Sequence, residues 1–142
     1  MAIDPNYILA FSNLGKAFRS LGRFGESEQA YRRALALDQK NSPTHTNLGW
    51  LLYMQGKYRE AIEHYSIVLE REPNATTQFN LGLAHIAQGD FATARRVYAQ
   101  GIARFGAEEA QRIGAVGSLR ALLAKSPSAS EIRQLLDEFW PQ

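Results

Sequence analysis

Hydrophobic positions in this chain recur in a pattern that holds register over long distances. Leu14 and Phe18 lie four residues apart, as do Leu48 and Leu52, a spacing that puts both side chains on one face of an α-helix. The tripeptide Asn-Leu-Gly appears as Asn13-Leu14-Gly15, Asn47-Leu48-Gly49 and Asn80-Leu81-Gly82, its leucines 34 and then 33 residues apart. Further columns keep step with it. Gly22, Gly56 and Gly89 follow, then Phe24, Tyr58 and Phe91, then Ser27, Ala61 and Ala94, then Tyr31, Tyr65 and Tyr98. Columns that stay aligned across three copies mark an internal repeat.

Each copy reads as two helices. The glycine after each leucine removes a side chain where two helices come close, and the second glycine stands where a left-handed helix cap is expected. An aromatic opens the next helix, and a small residue follows that again permits close approach. Gly25, Pro43 and Pro73 supply turn chemistry near the expected ends. The pattern predicts helices over 8–21, 24–38, 43–55, 58–71, 75–88 and 91–104, and no strands.

This arrangement resembles the tetratricopeptide repeat, a helix-turn-helix unit of about 34 residues. The resemblance runs from Ile8 to about Phe105. It departs at Ser27, where the family has alanine, at Gly101, which aligns with Ala34, and at Gln39, which takes the place that Pro73 fills later. It implies an all-α fold, a right-handed α-solenoid of antiparallel helix pairs. The expected organisation is a single domain over 1–142. Residues 1–7 read as the tail of a preceding partial repeat, so that Met1 is a start imposed on a longer array. Repeats one, two and three span 8–41, 42–74 and 75–106. Residues 107–142 form a degenerate repeat or a capping helix pair, covering the apolar face that the last repeat leaves open. In that segment Ile113, Val116, Leu119, Leu122 and Leu123 keep helical spacing from Ala107 to Lys125, and Ser128-Ala129-Ser130-Glu131 has capping-box spacing before a last helix.

Composition narrows the picture. Hydrophobic residues at 45% and charged residues at 21% describe a folded globular chain rather than a disordered tail. No apolar run is long enough to span a bilayer, so membrane insertion is not expected. Sixteen basic against fourteen acidic residues leave a net charge of +2, well mixed, and the doublets Arg32-Arg33 and Arg95-Arg96 are isolated. That field is too weak and too scattered for nucleic acid to be the expected partner. The chain has no cysteine, which removes disulfides, thiolate chemistry and Cys-based metal sites.

The titratable residues form no catalytic constellation. His45, His64 and His85 lack metal-ligand spacing, and a structural role is expected for all three. Glu60 and His64 stand one helical turn apart, the spacing of a surface contact. The remaining carboxylates fall on second helices as solvated faces rather than as a converging acid–base pair. No cofactor or metal site is expected, and the chain reads as non-catalytic.

What remains is binding. The resemblance implies that the first helices of the units line a concave groove. The residues it places there are Asn13, Lys16 and Arg19 from the first unit, and Asn47, Trp50, Tyr53 and Met54 from the second. From the third come Phe79, Asn80, Leu83 and Ile86. Asn13, Asn47 and Asn80 form a ladder resembling those with which some members hold peptide main chain, since an amide both donates and accepts. The groove turns from basic to apolar and aromatic, the character of a partner surface. A protein or peptide partner, coverage by 107–142 and self-association all remain open occupants. Co-chaperone members that clamp a terminal carboxylate use two Lys, an Arg and two Asn. That full set is not present, so the mode is not implied. The expected function is a non-catalytic protein-interaction module, adaptor or scaffold. The alternatives are a substrate-presenting accessory domain of a larger enzyme, such as a glycosyltransferase, and a self-assembling structural protein.

Overall fold

The computed structural model describes residues 4–126 and 129–142; Met1 to Ile3, and Ser128 of the expected capping box, lie outside them. Among the described residues all regular structure is helical. The helices are α1 (Pro5–Ser20), α2 (Phe24–Leu37), α3 (Ser42–Met54), α4 (Tyr58–Arg71), α5 (Ala75–Ala87), α6 (Phe91–Phe105), α7 (Ala107–Arg112), α8 (Ala115–Leu123) and α9 (Ala129–Phe139). They form two compact units, one up to Glu72 and one from Pro73 onward. None is long and apolar enough to cross a membrane.

The repeating columns have one physical meaning in all three helix pairs. Each first glycine lies beneath a tyrosine ring of its partner helix. A Cβ built at Gly15, Gly49 or Gly82 would come within 2.5, 2.5 and 2.6 Å of Tyr31, Tyr65 and Tyr98 respectively. The three tyrosines are buried. The turns between paired helices are also alike. Gly22, Gly56 and Gly89 take φ of 75°, 80° and 84°, the left-handed region that favours glycine. The next amide reaches back to close each helix: Arg23 to the Phe18 carbonyl at 2.9 Å, Lys57 to Leu52 at 2.8 Å, Asp90 to His85 at 2.9 Å.

The first helix begins three residues earlier than its apolar spacing predicts. The Asp4 carboxylate accepts from the Asn6 amide at 2.9 Å and Pro5 occupies the first turn, where its missing N–H costs nothing. Two departures from the family pattern have local explanations. The Ser27 hydroxyl donates to the Gly15 carbonyl at 2.6 Å inside the crossing, so a buried polar atom is satisfied. Gly101 makes room for Phe79, whose ring would lie 2.8 Å from a Cβ there.

In the first unit, α2 packs on α3, and the Ser12 and Thr44 hydroxyls hydrogen-bond at 2.8 Å between α1 and α3. His45 and His64 join α3 to α4. A carbonyl only accepts, so His45 Nε2–H donates to Gln39 at 2.7 Å, which leaves its Nδ1 to accept from His64 Nδ1–H at 2.9 Å. The contact of His64 is therefore with His45 and not with Glu60.

The second unit differs from expectation at its end. The apolar stretch from Ala107 to Lys125 is two helices rather than one, because Gly114 at φ 92° ends α7 and starts α8. α8 packs on α5 and α7, and α9 packs on α6 and α8. Trp140 Nε1–H donates to the Ala107 carbonyl at 2.9 Å, and Arg95 pairs with Glu138, so the C-terminal end of α9 is tied to α7 and α6.

The glycine crossings predict an asymmetric response to alanine. Gly49→Ala forces a methyl into the buried Tyr65 ring and is expected to cost about 1–3 kcal/mol, beyond what better helix propensity returns. Gly25→Ala, with nothing within 4 Å, is expected to hold or raise the melting temperature. Thermal unfolding of the two variants checks this, and equal behaviour would refute the role given to the crossing.

A second expectation concerns pH. Burial, then His45 and Arg32, push His64 down from 6.5 to about 4, against a smaller opposing effect of Glu28. The unfolded chain therefore binds this proton more readily than the folded one. The stability from neutral His64 is full above pH 6.5 and is lost as pH falls toward 4. Between pH 7 and 5, wild type is expected to lose more melting temperature than His64→Gln, and identical slopes would contradict this.

Candidate functional site

A concavity of the first unit lies between α1 and α3, with the α2–α3 connection as its third wall. It encloses about 500 Å³. Asn13 and Lys16 from α1 and Asn47 from α3 line it, as the sequence predicts. Apolar side chains make up much of the rest of its lining: Ile8 and Leu9 on α1, Leu37 at the end of α2, and Pro43 on α3. Asn13 and Lys16 are exposed and Asn47 is partly exposed. Among the described residues the chain itself does not engage the Asn13 and Asn47 amides. Asn41 also lines the cleft, but its side chain caps α3 by accepting from the Thr44 amide at 3.0 Å and hydroxyl at 2.6 Å. The hydrogen bond of His45 to Gln39 holds this connection, so the wall is anchored from behind.

The other predicted residues of the first unit form a second feature. Trp50 and Tyr53, one turn apart on α3, stack with ring centroids 5.1 Å apart, and Tyr58 meets Tyr53 at 5.4 Å. Met54 beside them is 45% exposed. Burial, with Tyr58 adding to it, pushes the Tyr53 phenol up to about 12, so it is a neutral donor at any physiological pH. Arg19 is half-buried, its guanidinium 3.5 Å from the Tyr31 hydroxyl. At the matching place in the next pair stands Tyr53, and the buried Tyr65 hydroxyl has no hydrogen-bond partner among the described residues.

The second unit corrects the predicted site. Phe79, Leu83 and Ile86 are core residues, exposed by only 3%, 2% and 3%. They are not open to a partner, because the chain's own C-terminal helices cover α5. Phe79 packs its ring against Tyr98 at 5.8 Å. Asn80 lines a crevice of about 20 Å³ shared with Ile113, Gly114, Ala115 and Ser118, so the third rung of the ladder faces the α7–α8 turn. Coverage by the chain itself, one of the occupants left open by the sequence, is what this unit adopts.

Sequence reasoning missed the cleft's apolar wall, above all Leu37 and Pro43. Gly101 carried the available signal for Phe79, since a glycine where Ala34 and Val68 stand implies a large neighbour. No group of three or more metal-ligating side chains converges among the described residues.

Comparison with known proteins agrees with this geometry. The tetratricopeptide repeat model matches residues 46–111, and a second TPR repeat model matches residues 15–56. The small glutamine-rich tetratricopeptide repeat-containing protein 2 of Mycosarcoma maydis is 31% identical over 72 residues, 51% of this chain and 20% of that protein. The Hsp70-Hsp90 organizing protein of Triticum aestivum is 29% identical over 134 residues, 89% of this chain and 23% of that protein. The chain thus spans about a fifth of the length of these relatives. Among solved structures, the first TPR of Spaghetti (RPAP3), bound to the HSP90 peptide SRMEEVD, is similar in fold with a TM-score of 0.66. The match covers 70% of this chain and 82% of that one at 17% identity. With repeat models spanning 15–111 and one glycine–tyrosine crossing common to three helix pairs, the chain belongs to the tetratricopeptide repeat family.

Proposed function

We propose that this chain is a protein-interaction module that holds an extended peptide segment in the α1–α3 cleft of its first unit. The observation that carries the reading is the cleft itself. Two amides not engaged by the chain, Asn13 and Asn47, line it together with the apolar side chains of Leu9, Leu37 and Pro43. Paired amides bond peptide N–H and C=O groups whatever the side chains, and the apolar wall takes one buried side chain for specificity. Lys16 adds one positive charge at the rim, which favours a carboxylate on the ligand. The Trp50–Tyr53 stack extends the surface along α3 as a rigid aromatic anchor.

Similarity supports this reading. One structure of similar fold carries a bound HSP90 peptide, and the relatives include an Hsp70-Hsp90 organizing protein. The chemistry of the site is recognition rather than turnover.

The test uses the full chain against a peptide array that includes SRMEEVD, followed by titration of the best binders by fluorescence anisotropy. Asn13→Ala and Asn47→Ala are each expected to weaken binding roughly tenfold, the effect of one lost hydrogen bond to a desolvated partner. Trp50→Ala is expected to weaken it as well. Asn80→Ala, beneath the α7–α8 turn, is expected to leave it unchanged. Binders indifferent to Asn13, Asn47 and Trp50 would sink the proposal.

A further inference from the structure

The cleft of the first unit has two chemically different ends. α1 and α2 run antiparallel: Arg23 lies over Phe18 at 5.0 Å, and Arg33 over Phe11 at 5.8 Å. Asp38, directly after α2, is thereby level with the first turns of α1, and it lines the cleft with Leu9 and Leu37. These apolar side chains and the one carboxylate among the lining residues therefore share an end. Lys16 stands seven residues beyond Leu9 on α1, and Arg19 follows three residues later on the same side of the helix.

Among the described residues, Asp38, Lys16 and Arg19 have no ion-pair partner. Asp38 accepts from the Lys40 amide at 3.1 Å, and the Arg19 guanidinium lies 3.5 Å from the Tyr31 hydroxyl. The positive end of α3 offers an anion no second place. Asn41 caps it, accepting from the Thr44 amide at 3.0 Å, and the Asp38 carboxylate stands before it. An anionic group on a ligand is therefore drawn along α1 toward Lys16 and Arg19, away from the apolar end.

We propose, resting on the reading of this cleft as a peptide site, that the segment it takes carries an acidic residue about three to five positions from its apolar anchor, and none beside that anchor. A helix rises about 1.5 Å per residue, so Lys16 and Arg19 lie about 10 and 15 Å along α1 from Leu9. An extended segment advances about 3.3 Å per residue, so its third to fifth residue from the anchor comes level with them. A carboxylate next to the anchor meets Asp38 instead, and like charges repel. The same repulsion disfavours a segment whose free C-terminus directly follows its apolar residue. The cleft thus selects an internal stretch of a partner by the spacing of one apolar and one acidic side chain.

The test titrates the full chain with labelled peptides blocked at both ends, each carrying one leucine in a serine–glycine background. One glutamate, or glutamine as the neutral control, is placed at successive positions on either side of the leucine. Affinity is expected to exceed the control about threefold with glutamate three to five positions away, and to fall below it with glutamate adjacent. The preference should shrink as salt is added. Asp38→Asn is expected to remove the penalty at the adjacent position, and Lys16→Glu to make lysine the favoured residue at the distant one, with circular dichroism confirming that both variants fold. Peptides that depend on Asn13 and Asn47 but bind alike wherever the glutamate stands would overturn the inference and leave the cleft reading intact. An unchanged preference in Lys16→Glu would do the same. No binding that depends on Asn13 and Asn47, even by the glutamine peptides, would remove both.

Discussion

A tyrosine ring lying over a glycine is the contact on which each helix pair depends. With a hydrogen in place of a side chain at Gly15, Gly49 and Gly82, the partner helix comes close enough for Tyr31, Tyr65 and Tyr98 to be buried by it. A helix of thirteen or fourteen residues is marginal by itself in water, so its stability comes from this packing. Fixing the crossing also fixes which faces are left over. On α1 and α3 the residue before each leucine, Asn13 or Asn47, is turned to the cleft. The asparagines of the site are thus positioned by the same contact that holds the pairs together.

The two units use that scaffold differently. In the first, the α1–α3 cleft stays open and is lined by amides, a lysine and an apolar wall. In the second, α8 packs on α5, the apolar residues at the corresponding places are core, and Asn80 faces the α7–α8 turn. One repeated sequence position therefore lines an open cleft in one unit and a narrow crevice at a turn in the other. The difference lies in the helices that succeed α6, not in the asparagine.

Much of the fold was legible because its determinants are local and repeated. The glycine columns gave the crossings and the left-handed caps, and the predicted helix ends fall within three residues of the observed ones from α1 to α6. The break at Ile113–Gly114 was hidden because apolar spacing continues through it, while termination depends on a backbone angle that one glycine adopts. The candidate surface was legible in the first unit only so far as Asn13, Lys16 and Asn47 line one cleft. It was misread in the third repeat, where Phe79, Leu83 and Ile86 are core residues of α5, a helix on which α8, remote in sequence, packs. Periodicity reports which face of a helix is apolar but not which element covers it. The histidine pair was unreadable for a related reason, since His45 and His64 meet only after α3 and α4 have crossed.

On the proposed reading the open cleft of the first unit, and not α5, receives a peptide. Amide chemical-shift mapping of the isotopically labelled chain, titrated with a peptide selected for binding, addresses it most directly. Perturbations are expected to concentrate at Leu9, Asn13, Lys16 and Asn47, with Phe79 to Ile86 unmoved. Perturbations centred on α5 and α8, with residues 8–16 and 47 silent, would contradict it.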